Sequence, residues 1–256
     1  MTFRLDHHNK ILTILESLDP EVLKKGSAYF GGGTRLALDF GEYRWSKDID
    51  FISPVVSSGY RHLRTIIFEG GYKALFRDLS RIDVGSGTTN QYGIRMLVLV
   101  DGMPIKTEII AEARFELDPP RFPEWSPVAC LSLNDCFTSK LLSNCDRYMD
   151  DSVESRDLID LAILRLQSPI PHDAIEKAEK AYEVMRPLKE AVKRFQERTD
   201  YRERCFSHLQ IDEAQIPRII DGVDLLASDL GLSLTERVFK EQQDYFFDVE
   251  SRELDD

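Results

Sequence analysis

The sequence lacks any pair of cysteines in a CxxC arrangement. Cys130, Cys136, Cys145 and Cys205 are its four cysteines, and no histidine stands at zinc-finger spacing from them. This excludes a zinc ribbon and points to reduced thiols. No apolar run approaches the roughly 20 residues of a membrane span. The opening MTFRLDHHNKILTILESLDP is too polar for a secretory signal. The expectation is a cytoplasmic protein with no membrane partner. Positive charge is also short: 33 Lys and Arg stand against 45 Asp and Glu, a net charge of −12. Such a protein repels polyanions at long range, so any nucleic-acid contact has to use a local basic patch. Two common phosphate signatures are missing as well. No Gly-Lys-Ser/Thr follows the glycine cluster, and GxGxxG does not occur. There is no internal repeat and no low-complexity tract.

What is present suits a folded chain. Of 256 residues, 42% are hydrophobic and 10% aromatic, enough for a real core and against disorder. Asp6 to Leu18 has apolar residues at helical spacing, with Asp6 as its cap. SAYFGGGT reads as a short strand entering a glycine turn, and TRLALDFG as a short helix capped by Thr34 and ended by Gly41. KDIDFIS alternates like a strand, and Ser57 to Glu69 reads as a helix stopped by Gly70-Gly71. YKALF, SRIDV and GIRMLVLV are strand candidates. The last meets Asp101-Gly102, a hairpin turn signal, and PIKTEIIAE is the return strand. LDPPRFPEWSPV, with four prolines, is the linker. Beyond it the patterns are helical through TERVFKEQQDYFFDVE, and the acidic last nine residues read as a frayed end. The expected fold class is α+β: a small mixed-sheet domain over 1–118, then an all-α domain over 119–256.

The stretch GGGTRLALDFGEYRWSKDIDFI carries the chemistry. Asp48 and Asp50 are two apart, so in a strand both side chains face one way. Two such carboxylates repel each other unless a cation lies between them. Magnesium suits the place, because it prefers oxygen ligands and keeps substrate phosphates in its shell. In PIKTEII, Lys106, Glu108 and Ile110 share a face. If that strand lies beside Asp-Ile-Asp, Glu108 becomes a third carboxylate and Lys106 falls near a triphosphate or near that third carboxylate. Asp48, Asp50 and Glu108 are therefore the candidate metal ligands, for Mg2+ or Mn2+. Asp48, Asp50, Glu108 and Lys106 are the candidate catalytic residues. Gly32 and Gly33 let the backbone approach a phosphate, and Thr34 adds a hydroxyl at a helix N-terminus. Alone, a glycine cluster is most often a turn, and Asp-x-Asp most often an exposed face with ion pairs. Their joint order is the informative feature.

That order resembles the nucleotidyltransferase superfamily of the DNA polymerase β type. The fuller pattern GGGTRLALDFGEYRWSKDIDFIS resembles the AbiEii/AbiGii toxin family of toxin–antitoxin and abortive-infection systems. The resemblance covers Tyr29 to Leu166 by motif. It implies transfer of NMP from an NTP substrate and a separately encoded antitoxin. It also implies nucleotide-binding roles for Arg44 and Ser46. Lys140, and Asp157 in TSKLLSNCDRYMDDSVESRDLIDL, are implied to face the nucleotide from the helical side. By themselves Lys140 reads as a surface lysine, and SRDLIDL as a capped helix start with Asp near the dipole.

The resemblance suggests RNA, the tRNA acceptor end above all, or a protein hydroxyl as acceptor. Two basic stretches bear on this: Arg61, Arg64, Lys73, Arg77 and Arg81, and then Lys193, Arg194, Arg198, Arg202 and Arg204 with Phe195 and Tyr201. A solvated helix face with i,i+4 ion pairs is the commoner meaning of such stretches and the preferred one here. Three readings stay open: a toxin of this kind, a nucleotidyltransferase with a small-molecule acceptor, or a nucleotide-binding module without transfer.

Overall fold

The computed structural model describes residues 2–242. Five strands form one mixed sheet: β1 (Tyr29–Gly31), β2 (Ile49–Pro54), β3 (Asp83–Asn90), β4 (Gly93–Val100) and β5 (Met103–Glu112). Their spatial order is β1-β2-β5-β4-β3. β2 runs parallel to β5, and the other pairs are antiparallel. The Asp101-Gly102 turn has φ of 51° and 75°, both positive as a tight hairpin requires, and returns β4 into β5.

The sheet's period of two sorts its faces. Ile49, Phe51, Ile94, Met96, Val98, Ile105 and Ile109 point into one core. That core is closed by α1 (Asp6–Ser17), α2 (Pro20–Lys25) and α4 (Gly59–Gly70), through residues such as Ile11, Leu15, Leu23 and Leu63. Phe30 and Phe51 are fully buried there, each contributing roughly 2–3 kcal/mol. On the other face Asp50, Ile52, Lys106 and Glu108 look towards a helical assembly. It comprises α5 (Leu133–Arg147), α6 (Arg156–Gln167), α7 (His172–Glu179), α8 (Met185–Glu197), α9 (Thr199–His208) and α10 (Ile216–Asp229). α3 (Gly32–Asp39) sits between the two cores. Leu38 joins the first, while Leu36 and Ala37 join the second with Leu141, Ile159 and Leu161. Val128 and Cys130, after the proline-rich stretch, pack back into the first core, and Cys130 bridges to Phe30.

This is the mixed α and β class the patterns predict, with local differences. YKALF is not a strand: Tyr72–Leu75 is a 3₁₀ turn, because Gly71 (φ 68°) reverses the chain and Leu75 is buried as an anchor. SRIDV contributes only its end to β3, which continues through Gly85 to Asn90. Those glycines and hydroxyl residues have low strand preference, and pairing with β4 overrides it. Asp6 lies within the first turn of α1, not at its cap, and Gly31 rather than Thr34 caps α3. The run after Pro187 breaks at Arg198 into α8 and α9. Thr235–Gln242 holds only a 3₁₀ turn, Phe239–Glu241, instead of the helix expected there. The expected frayed end lies outside the described residues. Among the described residues no helix is long and apolar enough to cross a membrane.

Candidate active site

A cleft of about 700 Å³ opens between the sheet and the helices. Its walls include Gly32, Gly33, Arg44, Ser46, Asp48, Asp50, Lys106, Glu108 and Lys140, residues drawn from α3, the loop before β2, β2, β5 and α5. Thr34 and Asp157 are buried and stand behind that lining.

Asp50 and Glu108 are register partners across the parallel β2–β5 pair, so their carboxylates share one face of the sheet. Asp48 immediately precedes β2 on the same side. Neither aspartate's carboxylate has a hydrogen-bond or ion-pair partner among the described residues. Burial, then Glu108 and Asp48, push the Asp50 carboxyl up to about 6. Glu108 is held differently. Arg95, its partner on β4, donates from Nε to Oε1 at 2.6 Å, and Lys106 pairs with Oε2.

The glycines are shaped by these neighbours. Gly32 has φ 68°, and a Cβ on it would lie 2.4 Å from Asp50 Oδ2. A Cβ on Gly33 would lie 1.9 Å from Arg44 Nη2. The α3 start is thus pressed against the carboxylate on one side and a guanidinium on the other. Thr34 does not cap the helix. Its hydroxyl meets Ser46 Oγ at 2.8 Å and the Asp48 carbonyl, tying the glycine turn to the aspartate strand. We expect Gly33→Ala to lower kcat/KM by about a hundredfold, since small displacements of positioned groups cost that much. It should also cost about 1–3 kcal/mol of stability through overpacking. Steady-state kinetics and a thermal melt check both, and unchanged values for both would remove the close-approach argument.

A buried ion network backs the cleft. Arg44 donates to Asp160 through Nε (2.7 Å) and Nη2 (2.9 Å), and Tyr43 adds its hydroxyl. Lys140 Nζ lies 2.6 Å from Asp160 and 3.0 Å from Asp157. Arg147 forks onto Asp157 at 2.6 and 2.9 Å. Burial opposes ionisation of both aspartates, yet the cations outweigh it and hold both carboxyls below the usual range. Burial likewise opposes the Lys140 charge, and Asp160 and Asp157 reverse that, so its ammonium is held more firmly. Asp157 therefore meets the cleft only through Lys140 and Arg147, which line it themselves.

The motif pattern did not mark out Arg95, Arg147 and Asp160 as site residues. Signals existed for two of them. Arg95 interrupts an apolar strand, and Arg147 is two helical turns after Lys140 on the same face. Trp45, Lys47, Arg156 and His208 also line the cleft.

A family described as "Nucleotidyl transferase AbiEii toxin, Type IV TA system" matches residues 13–245. The chain belongs to this family. It is a nucleotidyltransferase of the AbiEii type, as the motif order predicted. No curated protein matches the chain. Two crystal structures resemble it. One is a candidate nucleotidyltransferase from H. pylori, 16% identical, covering 90% of this chain and 98% of that one, with a TM-score of 0.49. The other is JHP933 from Helicobacter pylori, also 16% identical, covering 90% and 95%, with a TM-score of 0.50. The second likeness is one of fold.

Family membership implies an NTP substrate, typically with a divalent metal, and a separately encoded antitoxin. The donor set fits such an ion in kind: hard carboxylate oxygens, one of them a half-buried, unpaired Asp50 in need of a cation. The fit is not yet one of distance. Among the described residues, the group of three metal-type side chains whose ligand atoms all lie within 4.8 Å of one another is the exposed His172, Asp173 and Glu176, outside the cleft lining. Asp48, Asp50 and Glu108 do not form such a trio, and Glu108 is held by Arg95 and Lys106.

Proposed function

We propose that this AbiEii-family chain transfers NMP from an NTP to a hydroxyl acceptor on RNA, tRNA foremost, or on a protein. We further propose that it does so in the cytoplasm, as the toxin of a toxin–antitoxin or abortive-infection system. The observation that carries the reaction is unpaired Asp50 facing Glu108 in register, directly beside the Gly32-Gly33 turn.

Asp48, Asp50 and Glu108 would hold Mg2+ or Mn2+. When bound, such ions supply charge neutralisation for the triphosphate and a lowered pKa for the attacking hydroxyl. Gly32 and Gly33 offer backbone approach to the β- and γ-phosphates, and Thr34 fixes the turn that presents them. Arg44, Ser46 and Lys140 face the triphosphate, with Asp157 orienting Lys140. Lys106 moves from Glu108 onto the phosphates as the nucleotide enters. That frees Glu108 Oε2 to take the acceptor proton. The acceptor oxygen bonds to the α-phosphorus, the bond from that phosphorus to the bridging oxygen breaks, and pyrophosphate leaves. The 1–118 and 119–256 units supply opposite walls of this cleft.

The acceptor class draws support from exposed Arg61, Arg64 and Lys73. The second basic stretch supports it less. Arg194, Arg198 and Arg204 converge on Asp151, and Arg202 is buried against Glu241.

The test is a transfer assay. Wild type and the Asp48→Ala/Asp50→Ala double variant are incubated with Mg2+, each labelled NTP in turn, and total tRNA, beside a protein-only control. Label on RNA from wild type alone is the expected result. Label on the protein would assign a protein acceptor. Pyrophosphate release that needs an added small molecule would replace the toxin reading. NTP binding with no pyrophosphate release would overturn transfer altogether. Expression should arrest growth, and Asp48→Ala should relieve the arrest.

A further inference from the structure

The loop from Gly41 to Asp48 has no regular structure, yet Arg44, Trp45, Ser46, Lys47 and Asp48 all line the cleft. Something else must hold it. From the helical side, Trp45 N donates to the Leu209 carbonyl at 2.9 Å. From the other side the holder is the start of α1. Glu42 turns back in the left-handed region (φ 53°), which is costly for a non-glycine residue, and is buried. Its carboxylate accepts the Arg4 N–H at 2.6 Å, the Leu5 N–H at 3.0 Å and His8 Nδ1 at 2.6 Å. A loop carboxylate thus takes the place of the missing side-chain cap of α1.

His8 is fully buried, and burial keeps its ring neutral. With Nδ1–H given to Glu42, the other nitrogen, Nε2, accepts the Ser46 N–H at 3.4 Å, 3.2 Å from the Ser46 carbonyl. The preceding residue repeats the contact one position on. His7 Nε2 is 3.0 Å from the Lys47 carbonyl, and its ring lies 5.7 Å from the Trp45 ring. Two adjacent histidines therefore grip the backbone of two adjacent loop residues, His7 at the Lys47 carbonyl and His8 at the Ser46 N–H. His7 and His8 both precede residue 13, where the family match begins.

We propose that His7, His8 and Glu42 are positioning residues that hold the Ser46–Lys47 segment in register for nucleotide binding. The proposal rests on the nucleotidyl-transfer reading. It also says which kinetic constant should move. Asp48 is anchored separately by the Thr34 hydroxyl, and Asp50 and Glu108 by the β2–β5 ladder. Releasing the histidine grip loosens Ser46 and Lys47 while leaving the carboxylates in place. Nucleotide affinity should fall while turnover at saturation persists.

The experiment uses the full chain with Mg2+ and ATP, CTP, GTP and UTP in turn, reading pyrophosphate release and backbone amide exchange over 44–47. For the NTP turned over fastest, His8→Ala should raise KM about tenfold, kcat staying within about threefold, and speed exchange over the loop. His8→Gln places an amide oxygen, an acceptor for the Ser46 N–H, where Nε2 stands and should recover most of the KM. His8→Asn reaches Glu42 but not Ser46 and should not. Leu15→Ala, which opens the α1 core without touching the loop, separates positioning from stability. Unchanged KM and unchanged exchange in His8→Ala overturn the proposal. So does an equal KM rise in Leu15→Ala. If wild type releases no pyrophosphate with any acceptor, the transfer reading fails on its own. Amide exchange then still decides the clamp, and undisturbed protection over 44–47 in His8→Ala would sink it.

Discussion

Asp50→Asn should abolish transfer and yet melt higher than wild type in metal-free buffer at pH 7.5. The Asp50 carboxyl is raised from 3.8 to about 6 by burial and by Glu108 and Asp48. The native state therefore holds this proton more tightly than the unfolded chain does. Stability falls as pH rises from about 4 through about 6, and it stays lower above that. The span corresponds to at most about 3 kcal/mol, less because the residue is only half-buried. For a chain of this size a melting point about 5 °C above wild type is reasonable. The gain should vanish near pH 4, where both forms are neutral. Adding Mg2+ should raise the wild-type melting point and leave the variant's nearly unchanged, since only a site that binds in the native state stabilises it. A variant that melts clearly below wild type in metal-free buffer would contradict the picture of a self-repelling carboxylate cluster.

How much of this was legible in the chain depends on the range of each contact. Asp48, Asp50 and Glu108 were readable because strand periodicity is local, and Asp101-Gly102 sets the β4–β5 hairpin. Only the adjacency of β2 and β5 had to be supposed, and their parallel direction was not legible in the chain. Arg95 on Glu108 needed the β4–β5 register, which fixes which of two alternating faces looks into the cleft. Arg44 on Asp160 spans 116 residues and joins a loop to a helix, so no periodicity announces it. The Glu42 cap of α1 was invisible for a similar reason. Leu5 offers no capping side chain, and the carboxylate that serves arrives from 37 positions on. The same limit explains YKALF. Its apolar content reads as a strand, but Gly71 and the burial of Leu75 settle a tighter turn.

Asp160→Asn should have the opposite signature from Asp50→Asn. Asp160 is fully buried, and its partners Arg44 and Lys140 are 4% and 7% exposed. Removing the charge leaves Arg44 with no carboxylate partner and Lys140 with only Asp157. Breaking a buried pair in this way costs about 3–5 kcal/mol, or roughly 10 °C for a chain of this length. The Asp160 carboxyl is held below its ordinary value, because Arg44 and Lys140 outweigh the burial that opposes its charge. Its contribution is therefore complete above the unfolded value of about 3.8 and is lost as pH falls through the folded one. Wild type and Asp160→Asn should differ most at neutral pH and converge in acid. Wild type and Asp50→Asn also converge in acid, but from the other side, because there the wild type is the less stable protein. Asp157→Asn should fall between them in size, since Arg147 is 34% exposed and water screens it once released. Activity separates the roles further. Asp160→Asn displaces Arg44 from beside Gly33 and should raise KM for NTP, whereas Asp50→Asn should remove kcat. Urea melts at pH 2.5, 4, 6 and 8, with kinetics at pH 8, test the whole pattern, the Asp160→Asn difference being still nearly complete at pH 4 and closing only below it. An Asp160→Asn protein as stable as wild type at pH 8 would mean that Arg44 and Lys140 do not depend on that carboxylate.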